Sequence, residues 1–578
     1  MDWLSAQKGC AMKNEGIVKG HCLIGAARRA VCFGVVATTL LIAPEASAVF
    51  SFGAAVAVGD FNQAGGWARD EVVVGAPYDD WGGYGVGSLT VYWRSPSGSS
   101  TWVHDWIDQT RLNGSLFTGG EDGGMEEWDH FGDVLAVGDF DNDGYKDLAI
   151  GVPSEDIGDQ YDAGCVHVLY GAASGPNGMP FRQSTVYLTR ANAYPYPLAA
   201  TPTSSDQFGH SLAAGDFDGN GYDDLAIGAP GAAVNGLPGA GAVFVFYSFG
   251  VGFQSVDEYT LHHGGPYSTT GVAEAYESFG WALAAGNFNG DLNGTGTDGT
   301  GPDGSRRIMD LAVSATGQSV NGTFAAGNVT VYYGRAYINF VTDNNWVIDQ
   351  SSLETPEWGD SFGFSLAAGD FTSECHPYTN AISCASLRQD DLAIGVPYES
   401  LSGLDGAGLV HVLYGTTAGI STSNAQAWNS NNFTTVDYSA PVQAGALFGY
   451  SLAVGEFLGE PNGGCQANGC NPLELIIGEP YRDRSNADSG QGYVLRGGLN
   501  QLLRADYSDY PVLLPWTQET YGQFTSSLAI GFVGTERGST NSGDVVVGAP
   551  GTDGAFVHSG DANEPPQSAP PIDLSWPW

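Results

Sequence analysis

The sequence predicts an all-β chain closed into a seven-bladed β-propeller of four-stranded antiparallel blades. Three observations carry that expectation. A block opening on Phe-Gly recurs at Phe52, Phe131, Phe208, Phe279, Phe362 and Phe448, with a degenerate Phe-Thr at Phe524, at intervals of about 80 residues. Every block holds short apolar stretches punctuated by turn residues, the pattern of antiparallel strands. Glycine, 85 of 578 residues, is far above its average usage of about 7% and shows no collagen-like triplet period.

Within a block the elements follow in a set order. The first strand alternates and runs into Gly-Asp-Phe, as in FGDVLAVGDF (131–140) and FGHSLAAGDF (208–217). A polar loop leads to the second strand, DLAIGVP (147–153), DLAIGAP (224–230), DLAIGVP (391–397), EVVVGAP (71–77) or DVVVGAP (544–550). The third follows a Gly-rich turn, as in SLTVYW (88–93), CVHVLYG (165–171), AVFVFYS (242–248), NVTVYYG (328–334) and LVHVLYG (409–415). A looser fourth stretch is rich in aromatics, such as STWVHDWIDQT (100–110) and NNWVIDQ (344–350). A sheet this small cannot hide both faces alone, so radial stacking on neighbouring blades is expected, with small residues at the strand starts and Gly-Ala-Pro corners. A β-helix is the alternative, but its periods are commonly shorter. Only Val49 to Ser51 precede Phe52, so the tail IDLSWPW (572–578) is the expected source of the last blade's fourth strand.

Ahead of the blocks, Arg28 and Arg29 precede the apolar run Ala30 to Ala43, and Ala46-Ser47-Ala48 supplies a small-residue cleavage site. Residues 1–48 are therefore expected to be a secretory signal peptide, with the propeller spanning 49–578 in a secreted, periplasmic or cell-surface protein. An uncleaved anchor would want an apolar run of about 20 residues. No later segment is long and apolar enough to cross a bilayer, so no transmembrane segment is expected in the mature chain. Cys375 with Cys384 and Cys465 with Cys470 read as short-loop disulfides in an oxidising compartment, leaving Cys165 as a buried thiol. The formal net charge is -44, with 20 basic against 64 acidic residues, which argues against nucleic-acid binding and polybasic lipid anchoring.

The chemistry lies in the loop between the first and second strands. In block two, Asp139, Asp141 and Asp143 alternate, Gly144 follows and Asp147 closes the loop; in block three, Asp216, Asp218, Asn220, Gly221 and Asp224 repeat the spacing. Alternate oxygens in a tight turn converge on one centre, and the carbonyls of Tyr145 and Tyr222 can add a ligand. Hard oxygens in that number suit calcium, giving at least two structural Ca2+ sites. An EF-hand would need Glu at loop position twelve, where Ile150 and Ile227 stand. Block one offers Asp60, Asn62 and Asp70, and block four Asn287, Asn289, Asp291 and Asp310, in imperfect versions; a plain surface turn is the alternative throughout.

Phe-Gly and Gly-Ala-Pro signatures in six or seven units, with this loop between them, strongly resemble the FG-GAP repeat family, whose best-known members form the propeller at the head of integrin α subunits. The resemblance spans residues 49–560 and extends to the closing carboxylate at loop position nine. It implies calcium hairpins on one face and a ligand side on the other. That second face carries Tyr78, Asp79, Asp80, Trp81, Tyr84, Trp128, Glu155, Asp156, Asp159, Tyr161, Trp358, Tyr398 and Tyr481, aromatics and acids suited to an extracellular protein or glycan. No integrin-like leg domain or membrane helix is read here, so an integrin subunit as such is not expected. No H-E-x-x-H and no phosphate-binding loop occurs, and His262-His263 cannot share a metal from adjacent strand positions. The expected function is integrin-α-like adhesion or recognition without catalysis; the alternative is a lectin-like carbohydrate binder or a polysaccharide-active enzyme.

Overall fold

Runs of Val, Ile, Leu and Ala too short for helices and bounded by Gly, Pro and Asp give strands whose second member is buried on both faces in every blade. The computed structural model describes residues 51–62, 70–80, 84–94, 102–112, 126–192 except 174, 176 and 177, 201–249, 253, 258–265, 272–293, 306–336, 341–372, 389–433, 442–457, 473–483, 488–498, 501–504, 513–514, 523–533, 543–559 and 572–574. Residues 1–48, Trp81 and the two cysteine pairs, Cys375 with Cys384 and Cys465 with Cys470, lie outside the described residues.

Seven antiparallel meanders form the blades. Blade 1 pairs Ala55–Gly59, Glu71–Ala76, Ser88–Arg94 and Trp102–Ile107, and blade 2 pairs Val134–Gly138, Asp147–Val152, Cys165–Gly171 and Phe181–Leu188. Blade 3 has Ser211–Gly215, Asp224–Ala229, Ala242–Phe246 and Glu258–Leu261, and blade 4 has Phe279–Gly286, Asp310–Ala315, Asn328–Tyr333 and Val341–Asp349. Blade 5 has Ser365–Gly369, Asp391–Val396, Leu409–Tyr414 and Ser421–Trp428. In blade 6, Ser451–Gly455, Glu474–Glu479 and Gln491–Gly498 are completed by two short pieces, Gln501–Arg504 and Leu513–Leu514. Blade 7 has Ser527–Gly531, Asp544–Ala549, Gly554–Ser559 and, from the tail as expected, Ile572–Asp573. The insertion in blade 4 forms a small hairpin, Leu292–Asn293 with Arg306–Arg307.

Hydrogen bonds join the blades at both ends. At one end, the residue ahead of each second strand donates its N–H to the carbonyl just after the first strand of the preceding blade. The pairs are Lys146 to Asp60, Asp223 to Asp139, Met309 to Asp216, Asp390 to Asn287, Leu473 to Asp370, Gly543 to Glu456 and, closing the ring, Asp70 to Phe532, all at 2.7–3.1 Å. At the other end, the Phe-Gly phenylalanine donates to the preceding blade's loop, Phe131 to Val86, Phe208 to Ala163, Phe279 to Ala240, Phe362 to Ala326 and Phe448 to Ala407.

Blade 7 packs on blade 1 through Phe52, Val72, Val74, Val546, Val557 and Leu574, with Tyr92 Oη donating to the Leu574 carbonyl. The ring thus closes by side-chain packing and hydrogen bonds, each blade's strands coming from its own repeat. A serine hydroxyl adds to four seams: Ser211 to Gly280, Ser365 to Gly449, Ser451 to Thr525 and, across the closing seam, Ser527 to Gly53 at 2.9 Å. Ser527→Ala is expected to lower stability by about 0.5–1.5 kcal/mol, the net worth of one hydrogen bond, read as a lower urea midpoint at unchanged slope.

Candidate metal centres

Each cation hairpin is built on a feature common to all seven blades. The acidic residue opening the second strand accepts the N–H of the residue two beyond the first strand: Glu71 from Phe61, Asp147 from Phe140, Asp224 from Phe217, Asp310 from Phe288, Asp391 from Phe371, Glu474 from Phe457 and Asp544 from Val533, at 2.7–2.9 Å. In four blades the other oxygen takes a second amide, that of Gly171, Ser248, Gly334 or Gly415. Asp147 and Asp224, expected as closing ligands, therefore hold the hairpin shut in the same way as residues in blades without an acidic loop. What distinguishes blades 2 and 3 is the carboxylates set beside this anchor.

In blade 2, Asp139, Asp141 and Asp147 each offer an oxygen, and the three lie within 4.8 Å of one another; Asp216, Asp218 and Asp224 do the same in blade 3. Among the described residues, these are the groups of three or more acidic, histidine or cysteine side chains placed to hold a metal. Asp139 caps the turn by accepting the amides of Asp143 and Gly144, both at 3.1 Å, and Asp216 accepts that of Gly221 at 2.8 Å. Asp143 and Asn220 stand further along the loop, accepting the amides of Tyr145 and Tyr222. Asn220 also donates to Asp218 and to the Ser248 carbonyl.

The charge is poorly tolerated without a counterion. Burial first, and repulsion from Asp141 among the neighbours, pushes Asp147 up to about 8. Burial and then Asp218 push Asp216 up to about 7, and burial holds Asp224 well above the usual carboxylate range. Asp139 and Asp218 are raised for the same leading reason. Asp216 is 8% exposed, and its Oδ1 has no hydrogen-bond partner, an orphan a bound cation would satisfy.

Several participants were not visible in the motif. Arg182, from the fourth strand of blade 2, reaches Asp141 and lies 3.4 Å from Asp143. Arg306, from the blade 4 hairpin, packs where a side chain on Gly221 would stand, and Gly221, at φ +97°, must remain glycine. Asp223 accepts the Asp139 amide at 2.8 Å, and Ser248 donates its hydroxyl to the Phe140 carbonyl, so the two hairpins are tied together. The imperfect loops differ. Asn287 turns its amide to the Asp291 carbonyl, and Asn289 donates to the Asp291 carboxylate.

A family model of the FG-GAP repeat matches residues 131–169 and 208–246, the two blades that carry these clusters. The chain carries FG-GAP repeats. Among sequence relatives, integrin alpha-6 of Homo sapiens is 33% identical over 184 residues, 31% of this chain and 12% of that protein. Integrin alpha-PS5 of Drosophila melanogaster is 29% identical over 215 residues, 37% and 17% respectively. Phosphatidylinositol-glycan-specific phospholipase D of Rattus norvegicus is 30% identical over 158 residues, 27% and 17%. The matched segments span less than a fifth of each relative. A solved rhamnogalacturonan lyase, YesW, covers 89% of this chain and 74% of its own at 11% identity, and its TM-score of 0.30 carries no argument.

One further sequence pattern bears on catalysis. Gly359-Asp360-Ser361-Phe362-Gly363 has the letters of a G-x-S-x-G nucleophile elbow, which needs a strand, a sharp turn and a helix. Here Ser361 is 5% exposed, sits in a blade seam and is followed by a strand. His263, of the adjacent histidine pair, is buried against Glu277 and Thr330.

Proposed function

We propose that the chain is an exported, calcium-stabilised propeller of the integrin-α-like kind that mediates adhesion or extracellular recognition, and that it is not itself an enzyme. The convergence of three buried or half-buried carboxylates in each of two successive blades carries the calcium part. The ligands would be Asp139, Asp141, Asp143, the Tyr145 carbonyl and Asp147 in blade 2, and Asp216, Asp218, Asn220, the Tyr222 carbonyl and Asp224 in blade 3. Ions so placed fasten the blade 2–3 seam and leave the opposite loops to meet a partner. The segment 1–48 would direct export, with the mature chain starting at Val49. Integrins and a phospholipase D among the relatives fit an extracellular setting, while the phospholipase activity belongs to proteins of which this chain matches a small part. Expression of the whole chain in a secreting host should yield a product whose intact mass begins at Val49 and which carries two calcium ions by elemental analysis. A product retaining Cys32, with no calcium, would sink the proposal. The carbohydrate-binding alternative is favoured by one observation, the exposure of Tyr84, Trp128, Tyr161, Tyr276 and Trp358 on the face away from the cation hairpins.

A further inference from the structure

In a four-stranded meander the connections alternate between ends, so the second-to-third and fourth-to-first loops share the face opposite the cation hairpins. There, in blades 2 to 6, the third residue before the Phe-Gly phenylalanine is held in one conformation by one repeated bond. Its N–H donates to the preceding blade's loop: Trp128 to Tyr84, Ser205 to Tyr161, Tyr276 to Pro238, Gly359 to Phe324 and Gly445 to Asp405, at 2.7–3.2 Å. All five are left-handed, with φ between 64° and 81°. The backbone there favours glycine, which blades 5 and 6 use; a bulky side chain at such a φ is a steric outlier. Trp128 and Tyr276 accept that strain and remain 52% and 64% exposed.

Their rings are not loose. A Cβ on Gly85 would stand 3.0 Å from a Trp128 ring carbon, and one on Gly239 would stand 3.0 Å from a Tyr276 ring carbon. Each ring thus rests on a glycine of the neighbouring blade and turns away from the core. Tyr161, at 70% exposed, and Trp358, at 63%, continue the series, so exposed rings occur at four successive seams from blades 1–2 to 4–5. Strain and exposure at the two positions where other blades use glycine point to a ligand as the reason for the Trp128 and Tyr276 rings, and Tyr161 and Trp358 add exposed rings beside them without that strain.

We infer that this arc binds an uncharged polysaccharide, each ring stacking on the aliphatic face of a sugar; the inference deepens the recognition proposed above and rests on it. Rings separated by polar loops suit a ligand of repeated small flat units, each offering an apolar face to a ring and hydroxyls to the loops between. Exposed Glu127, Asp159 and Glu357 beside Trp128, Tyr161 and Trp358 can accept hydrogen bonds from sugar hydroxyls, and with a chain charge of -44 they repel polyuronates.

Affinity electrophoresis of the calcium-loaded mature chain through hydroxyethylcellulose, mannan, galactan and polygalacturonate tests this. Retention by at least one neutral polymer and not by polygalacturonate is expected. Trp128→Gly and Tyr276→Gly should each weaken retention at least tenfold while leaving the melting temperature equal or higher, since each relieves a strained backbone. Retention by no neutral polymer, by polygalacturonate alone, or undiminished in both variants overturns the inference. So does a fall in melting temperature with retention unchanged, the mark of a structural role. Calcium uptake and a start at Val49 in the same preparation would leave the extracellular proposal standing when this one fails.

Discussion

Replacement of Gly164 by alanine is expected to destabilise the fold by about 2–5 kcal/mol. Gly164 has φ +82°, where an L side chain costs about 1–2 kcal/mol. An added Cβ would also stand 2.2 Å from the Phe208 carbonyl oxygen and 2.6 Å from its nitrogen, both backbone atoms of the next blade. Backbone cannot rotate aside as a side chain can, so the seam must open, at the further 1–3 kcal/mol typical of overpacking. The Phe208 amide bond to Ala163, at 3.0 Å, lies in the path of that opening. Urea denaturation should show the loss as a lower midpoint at unchanged slope. A loss under about 0.5 kcal/mol would mean that the seam is more pliable than its contacts indicate.

The position of Gly164 shows what was legible in the sequence and what was not. Repeated Phe-Gly and Gly-Ala-Pro marked the blades because each unit must bury the same faces in the same way. Their reason is a contact between units: the Gly151 Cα stands under the Gly209 carbonyl, 58 residues away in the chain, and no single repeat shows it. The cation loops were legible because alternate acids in a turn have one geometric outcome. The anchoring role of Asp147 was not, since a ligand and a backbone clasp demand the same residue at the same place, and only Asp391 and Asp544 in ligand-poor blades separate the two. Arg182 enters from the fourth strand of its blade and Ser248 from just beyond the third strand of blade 3, and the ring-closing bonds of Asp70 to Phe532 join opposite ends of the sequence, so local spacing carries no trace of them. The exposed aromatics were legible as types, while the left-handed backbone beneath Trp128 and Tyr276 came from the seam.

Calcium removal is expected to lower the melting temperature without unfolding the ring, and to do so more at high pH than at low. At extracellular affinities of about 10⁻⁴ to 10⁻³ M, about 1 mM calcium stabilises by roughly 0.4–1.4 kcal/mol per site, twice that for two sites. The pH dependence follows from Asp216, raised to about 7, and Asp147, raised to about 8, against 3.8 for a free carboxyl. A folded-state pKa above the unfolded one gives stability that is complete below about 3.8 and lost as pH rises through about 7 to 8, because the chelated fold must then carry buried negative charge. Calcium offsets that charge, so the gap between melting curves in calcium and in chelator should be small at pH 5.5, where protons compete for the same oxygens, and widest above pH 8. Asp141→Ala should remove one ion and about half the gap, since one of its oxygens converges with those of Asp139 and Asp147 while Oδ2 pairs with Arg182. Asp544→Ala leaves the Val533 amide unpaired, and it should lower stability equally in calcium and in chelator while the ion count stays at two. Calorimetric titration that finds no calcium uptake, with superimposed melting curves across this pH range, would refute the metal sites and leave the propeller, whose seams close without them, intact.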